Sequence, residues 1–477
     1  MLGMLSYGAY IPYHRMSRAE ISRAWGGFAM PGEKAVASYD EDSLTMGVEA
    51  AIDCMRGADK KGVDALFFAT TTAPFKERLG SAIIAMALDL PEGIRTVDFT
   101  GTLRAGTTAL KCALDAVKAG SAKKVLVVAA EARLGAPGGD FEQTLGDGAA
   151  AVLVGEGDVI AEVKDSHHIS DEFSGVWRAE GDAFVRSWED RMVLDKGYSR
   201  VLPLAMGGLM KKSKLAAGDF TRVVYDAPTD VRRHGQVAVQ LGFDKGQVQD
   251  HMTGTVGNTG SAMALMLLVA ALEGARAGDR LLLGSYGNGA DAYILEVTKG
   301  IEKPGERRGV KKHLASKRMV KNYETYIRWR GLIFMEPAKR PGRPPTSISE
   351  LFRDRKSILS LYGLKCKKCG TPQYEVRPGR VCVACQAKDQ FEPYLFADKN
   401  AKIFTFTQDR LADSADPPNT VAVVDFEGGG RSVFDVTDRD PDTIKVEMVV
   451  EMTFRKLYSD IPRGIHNYYW KTRPVRC

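Results

Sequence analysis

Cysteine is scarce in this chain, seven in 477 residues, and four of the seven fall in two Cys-x-x-Cys pairs. That distribution excludes a dense disulfide framework and reads instead as metal ligands plus reduced thiols. No apolar run is long enough for a membrane span, so none is expected. The opening Met1-Leu-Gly-Met-Leu-Ser-Tyr7 has neither a basic leader nor a long apolar stretch. A secretory signal is therefore not expected, and the expected compartment is the cytoplasm. A strong charge of one sign is also missing. The net charge is +6, and most of the excess sits between Glu302 and Arg343, with 13 Lys or Arg against four Glu. That segment reads either as a solvated helix followed by a linker or as a surface for the phosphates of a ligand or for a partner subunit. No nucleic-acid recognition motif accompanies the charge. What is present, 44% apolar and 26% charged residues, is the balance of a globular protein with room for more than one domain.

A more local absence carries the functional argument. In Asp98-Phe-Thr-Gly-Thr-Leu103-Arg-Ala-Gly-Thr107, a strand over Arg95 to Phe99 meets an Ala-rich helix over Ala105 to Ala119. A side chain at that junction faces the positive end of a helix dipole, where a cysteine would ionise readily. Leu103 has no lone pair to offer. Of the remaining thiols, Cys54 and Cys112 lie in helical stretches and are expected to be small buried apolar groups, and Cys477 ends the chain. His234 and Glu77 are expected to be solvated.

Gly8-Ala-Tyr-Ile-Pro12, Asp40-Glu-Asp-Ser-Leu-Thr-Met46, the Leu103 junction, Gln143-Thr-Leu-Gly-Asp-Gly148, Gly257-Asn258-Thr-Gly-Ser261 and Ser285-Tyr-Gly-Asn-Gly289 follow one another in an order that resembles the 3-hydroxy-3-methylglutaryl-CoA synthases of the thiolase superfamily. The resemblance implies a catalytic cysteine, glutamate and histidine. At the matching positions stand Leu103, Thr71 and Asp226, and only Asn258 keeps the family's residue. Acyl-enzyme chemistry requires a nucleophile and a proton acceptor in register, so no catalytic residue is assigned with assurance and no covalent acyl step is expected at this position.

Two segments repeat one another: Ala105 to Ala130 and Gly260 to Gly284 each run Ala-rich helix, stop, apolar strand. The repeat agrees with a duplicated thiolase-like α/β fold over residues 1–335, with two similar halves packed around buried helices. Ser166 to Leu204, with Trp177, Phe184, Trp188 and many charges, reads as loops and short helices over a pocket, and its adjacent His167 and His168 as solvated groups. Residues 336–346 form a Pro-rich linker.

Ser347-Ile-Ser-Glu350 then offers a capping box for a helix reaching about Tyr362. Cys366-Lys-Lys-Cys369 and Cys382-Val-Ala-Cys385, 12 residues apart, are followed by Gly370 and Gln386, where tight turns are expected. Two such knuckles supply four thiolates to one structural zinc with no open position, which makes residues 347–390 a helix and a rubredoxin-like zinc ribbon. From 391 to 477 come short alternating strands, Lys402 to Thr407, Thr420 to Asp425, Arg431 to Asp435 and Val446 to Phe454, as in a small antiparallel OB-type barrel. Ribbon and barrel together resemble the zinc-ribbon/OB-fold proteins that accompany thiolases and related acyltransferases. An OB-fold also suits single-stranded nucleic acid, but Asp425, Glu427, Asp435, Asp438, Asp440 and Asp442 make a poor surface for phosphates, so nucleic acid is not expected.

These resemblances imply a subunit of a thiolase-type acyl-CoA complex that forms or cleaves C–C bonds in β-ketoacyl-CoA or related compounds. Zinc and CoA or acyl-CoA are the expected ligands, and a cysteine-bearing thiolase in a homo- or hetero-oligomer is the expected partner. Two alternatives stay open. One is an autonomous acyl-CoA acyltransferase or synthase working without the usual cysteine, with Asn258 and Gly287-Asn-Gly289 stabilising an oxyanion. The other is an interaction protein with no acyl-CoA role.

Overall fold

A computed structural model describes residues 1–303, 305–336, 344–376 and 379–476. Most of the expected linker, residues 337–343, lies outside the described residues, as does Cys477. The chain divides into two compact units: Met1–Ala37, Asp42–Ala85 and Leu90–Tyr323 form the first, and Ser38–Glu41, Met86–Asp89 and Glu324–Cys477 the second.

The first unit is built on one nine-stranded sheet. Its strands are β1 (Leu2–Tyr10), β2 (Ala65–Ala69), β3 (Arg95–Phe99), β4 (Lys124–Glu131), β5 (Gly148–Glu156), β6 (Ala161–Ser170), β7 (Arg222–Tyr225), β8 (Arg280–Tyr286) and β9 (Gly289–Val297). They lie in the order β7-β8-β9-β6-β1-β5-β4-β2-β3. The helices that matter for the site are α1 (Ser43–Cys54), α2 (Ala105–Lys118), α3 (Ser199–Ser213), α4 (Val231–Gln240) and α5 (Met263–Leu272).

The internal repeat is plain in this topology. Helix α2 leads into β4, which runs parallel to β2 and antiparallel to β5, while α5 leads into β8, parallel to β7 and antiparallel to β9. Within the sheet the two halves meet where Gly3 and Met4 of β1 pair with Glu162 and Ala161 of β6. Strand β4, Lys-Val-Leu-Val-Val-Ala-Ala-Glu, is buried on both faces, as expected of a strand covered by helices on both sides. Helix α5, Met-Ala-Leu-Met-Leu-Leu-Val-Ala-Ala-Leu, is apolar all round because it lies inside the core. A side chain at Gly106 of α2 would place its Cβ 2.3 Å from the Ser261 carbonyl, so only glycine lets this helix approach so closely. Asp42 caps α1: its carboxylate accepts from the Thr45 amide at 2.9 Å, and Thr45 Oγ1 accepts from the Asp42 amide at 2.9 Å. No helix among the described residues is long and apolar enough to cross a membrane.

The stretch expected to be loops and short helices begins instead with the C-terminal half of β6, paired residue by residue with β9 from Ser166 to Ser170. Its polar side chains follow from a position where the sheet is not covered on both faces. His167 and His168 therefore lie on a strand; His168 is exposed, as expected, and its Nδ1 sits 2.9 Å from the buried Asp291 carboxylate. After Ser170 the stretch carries two short paired strands and helical turns that run into α3.

In the second unit, the helix expected to reach Tyr362 breaks into Ile348–Arg353 and Arg355–Leu359, with Ser347 accepting from the Glu350 amide at 3.3 Å. Asp354, between the two pieces, departs from helical geometry and pairs with Arg353. Tyr362 opens the strand β10 (Tyr362–Cys366), which forms a three-stranded sheet with β11 (Pro372–Gln373) and β12 (Phe391–Leu395). The barrel follows as β13 (Asn400–Asp409), β14 (Asn419–Phe426), β15 (Arg431–Asp435), β16 (Val449–Asp460) and β17 (Ile465–Pro474), in the order β15-β14-β13-β16-β17. A parallel bridge from Val436 to Thr472 brings the two ends of this sheet together. All strands here are antiparallel, as the alternating pattern predicts.

Buried charges tie this unit together. Arg455 and Arg473 both meet Asp438; Arg455 also pairs with Glu41 and, at 3.8 Å, with Asp40. Lys471 reaches Asp40 at 2.9 Å and Arg473 reaches Glu451 at 2.8 Å. Burial alone would raise the Asp40 pKa, but Lys471 and Arg455 outweigh it and hold the carboxyl well below its usual range. Its contribution to stability is thus present above the ordinary carboxylate pKa and is lost as pH falls through the depressed value. Arg455→Met, which leaves three carboxylates short of a cation, should weaken this unit by about 3–5 kcal/mol. Amide hydrogen exchange in β16 and β17 of the full chain reads that loss directly; unchanged protection there would contradict it.

Candidate functional site

Leu103 stands two residues before α2, in a turn gripped from the opposite half of the unit. The Gly287 carbonyl accepts from Thr102 Oγ1 at 2.7 Å and from Arg104 Nε at 2.9 Å. A Cβ on Gly287 would stand 2.8 Å from the Arg104 amide nitrogen and 3.0 Å from that of Leu103, so no other residue fits there. Arg104 continues to Asp291 at 2.8 Å, and Asp291 also accepts from Thr107 at 2.7 Å. The hairpin of β8 and β9 is thereby fixed over the N-terminus of α2. The Gly287 amide, expected as an oxyanion donor, donates instead to the Gly289 carbonyl at 2.9 Å.

Beneath this turn lies a cavity of about 350 Å³ lined by Leu103, Asp226 and Asn258. Three of the four residues singled out from the sequence therefore come together. Thr71 does not line it; it borders a separate cavity of about 220 Å³. Its amide and hydroxyl donate to Glu131 at 2.7 and 3.1 Å, and Glu131 also accepts from Thr72 at 2.9 Å and Ser261 at 2.7 Å. A carboxylate is thus present near this position, but its oxygens are spent on local hydrogen bonds.

Asp226 closes the other side. Burial pushes its carboxyl up to about 7, against the pull of the Tyr286 amide that donates to it at 3.0 Å. Three hydrogen bonds hold Asn258: Oδ1 accepts from Arg133 Nη2 at 2.8 Å and from the Gly260 amide at 2.9 Å, and Nδ2 donates one N–H to the Ala227 carbonyl at 3.0 Å. It serves the wall of the cavity more than its interior.

The other thiols and histidines lie as follows. Cys54 is fully buried, and burial raises its thiol to about 12, which makes it inert. Cys112, expected to be buried, is exposed, because it falls on the outer face of α2 beside Lys111 and Asp115. His234, expected to be solvated, is buried: it stacks on Tyr225 with ring centroids 4.1 Å apart, and burial lowers it to about 4. Glu77 is exposed as expected. Among the described residues no cysteine lines the cavity.

Sequence reasoning missed Arg18, Arg133 and His251, all of which line the cavity. For Arg133 a signal existed, since Glu131 and Arg133 interrupt an apolar run directly after a buried strand. Charges at such a place need partners.

In the second unit the four cysteines Cys366, Cys369, Cys382 and Cys385 converge, with all Sγ atoms within 4.8 Å of one another. Cys366 and Cys385 lie 3.7 Å apart, Cys369 and Cys382 3.5 Å. A tetrahedral zinc with Zn–S bonds of about 2.3 Å has S···S edges of about 3.8 Å, so the donor set fits that ion. Gly370 and Gln386 take positive φ values of 78° and 58°, and their amides donate back to the Cys366 and Cys382 carbonyls, which forms the two knuckles.

The architecture is that of a thiolase-type condensing enzyme followed by an OB-fold domain. A 3-oxoacyl-[acyl-carrier-protein] synthase III family model matches residues 97–172, and one for the ChsH2 C-terminal OB-fold domain matches residues 396–455. The hydroxymethylglutaryl-CoA synthase of Thermococcus sibiricus is 32% identical over 338 residues, covering 69% of this chain and 96% of the relative. That of Methanopyrus kandleri is 31% identical over 339 residues, with the same coverages. An HMG-CoA synthase structure complexed with CoA aligns with a TM-score of 0.62 at 19% identity, covering 71% of this chain and 91% of that one. The chain belongs to the hydroxymethylglutaryl-CoA synthase family.

The raised Asp226 pKa has a measurable consequence. A carboxyl whose folded pKa exceeds its unfolded value adds stability that is fully present at low pH and lost as pH rises through about 7. Asp226→Asn should therefore raise the calorimetric melting temperature by several degrees at about pH 8.5 and change it little at about pH 3.5, below the unfolded carboxyl's own value. An equal shift at both values would contradict this assignment.

Proposed function

We propose that this chain is a non-thioester-forming subunit of a thiolase-type acyl-CoA complex in the cytoplasm. It binds acyl-CoA and serves assembly, while a partner thiolase supplies the cysteine for C–C bond formation or cleavage in a β-ketoacyl-CoA or related compound. The observation that carries the reading is the cavity itself: Leu103 and Asp226 line it and, among the described residues, no cysteine does. The positive end of α2 remains aimed at this place, so the scaffold for stabilising an acyl oxygen persists without the nucleophile. The relative solved with CoA supports CoA as the ligand. The edge strand β3, half-exposed where the inner strands are buried, is open to pairing with a second subunit.

After incubation with acetyl-CoA, intact-mass measurement of the isolated chain should show no acyl adduct, and purification of the native complex should recover a cysteine-bearing thiolase. An adduct mapped to the first unit, or a native homodimer alone, would refute the reading. One observation favours a second reading, an autonomous enzyme without a covalent step: a carboxyl titrating near 7 is poised to exchange protons at neutral pH. Turnover by the purified chain, lost in Asp226→Asn, would select that alternative.

The four cysteines would hold a structural zinc. With four thiolates around it the ion has no open position and supplies only a cross-link between the two knuckles. Metal analysis should return one zinc per chain, and Cys382→Ser should abolish it and disorder β10–β12 in hydrogen exchange while sparing β4 and β5.

A further inference from the structure

A second cavity in the first unit, an open groove of about 1030 Å³ between α4 and residues 243–255, takes no part in the proposed acyl-CoA role. It adjoins the candidate cavity at Val231, His251 and Gly254, which line both. Its apolar wall includes Val231, Val239 and Phe243, and the two valines are 41% and 76% exposed. Charge does not define it. Arg232 at its edge is held by both oxygens of the Asp230 carboxylate, at 2.9 and 3.0 Å, and Lys245 and Asp250 bring opposite signs.

What distinguishes the groove is a pair of histidines whose hydrogen-bonding roles their surroundings fix. His234 Nε2 lies 3.2 Å from the Tyr225 carbonyl, which only accepts, so this nitrogen carries the proton. His251 Nδ1 lies 3.3 Å from the Thr253 amide nitrogen, which only donates, and 2.7 Å from the Thr253 hydroxyl, so this nitrogen is bare. Burial lowers both rings, His234 to about 4, and each is therefore neutral at physiological pH with a single proton. The other two nitrogens follow: His234 Nδ1 is an acceptor and His251 Nε2 a donor, and neither has a hydrogen-bond partner among the described residues. The ring centroids are 5.1 Å apart, close enough for one oxygen atom to bridge the two ring edges.

Apolar walls with a few fixed polar groups are the usual form of a small-molecule site. A hydroxyl both donates and accepts through one atom, whereas a ketone or ether only accepts, an ammonium only donates, and a carboxylate has no proton for a bare nitrogen. We infer that the groove binds an uncharged, largely apolar alcohol or phenol by its hydroxyl, which donates to His234 Nδ1 and accepts from His251 Nε2, while the apolar wall takes the carbon skeleton. This site is independent of the acyl-CoA reading.

The test is fluorescence titration of the full chain with 2-naphthol, 2-methoxynaphthalene and naphthalene. 2-Naphthol should bind at least about tenfold more tightly than its methyl ether, which cannot donate and leaves His234 Nδ1 unpaired. His234→Phe, which keeps a ring against Tyr225, should remove that preference. Gly235→Leu should block all three probes and leave the helix intact: Gly235 lines the groove, a Cβ there meets nothing within 4 Å, and leucine suits a helix better than glycine. No saturable binding of 2-naphthol, or equal affinity for the naphthol and its ether, overturns the inference. Binding that survives Gly235→Leu, or a preference that survives His234→Phe, overturns it as well. If His234→Phe does not fold, the wild-type ratio and Gly235→Leu decide.

Discussion

Everything at the candidate site hangs on the contact between Gly287 and the turn at Thr102–Arg104. The loop carbonyl accepts two hydrogen bonds from that turn, and the space between them admits no Cβ. Asp291 braces the contact from behind by binding Arg104 and Thr107. These bonds cross the internal repeat, since the turn belongs to one half and the glycine loop to the other. They hold the start of α2 in place whichever side chain occupies position 103. The arrangement that would polarise an acyl group is therefore independent of the group that would attack it.

Much of this was legible from the residues. The repeat, the strand-to-helix junction at Leu103, the two cysteine knuckles and the alternating strands of the barrel all depend on local periodicity and turn chemistry. What escaped depends on packing at long range. His234 and Tyr225 stack across a strand and a helix, so a residue expected in solvent is buried. Strand β6 carries Asp165, Ser166, His167 and His168, whose polarity masks its strand character until β9 pairs with it. Cys112 misled in the other direction: α2 is amphipathic, and its outer face at Lys111, Cys112 and Asp115 was readable from spacing. Arg133 acquires meaning only when Asn258, 125 residues away, bonds to it.

Asn258 ties the two halves of the repeat together beside the cavity. Its amide is shared among Arg133, Gly260 and Ala227. It thereby fixes the Arg133 guanidinium at the cavity. Asp226, whose carboxyl burial pushes up to about 7, lines the same cavity.

The buried charges of the second unit have an evolutionary corollary. Asp40, Glu41, Asp438 and Glu451 share Arg455, Lys471 and Arg473, and Asp40 and Asp438 each serve two of these bases. Replacing any one member strands its neighbours' charge in a medium that does not solvate it. Drift at these positions must then proceed by compensating pairs, so among descendants of this chain the seven residues should be inherited as a block, changing together or not at all.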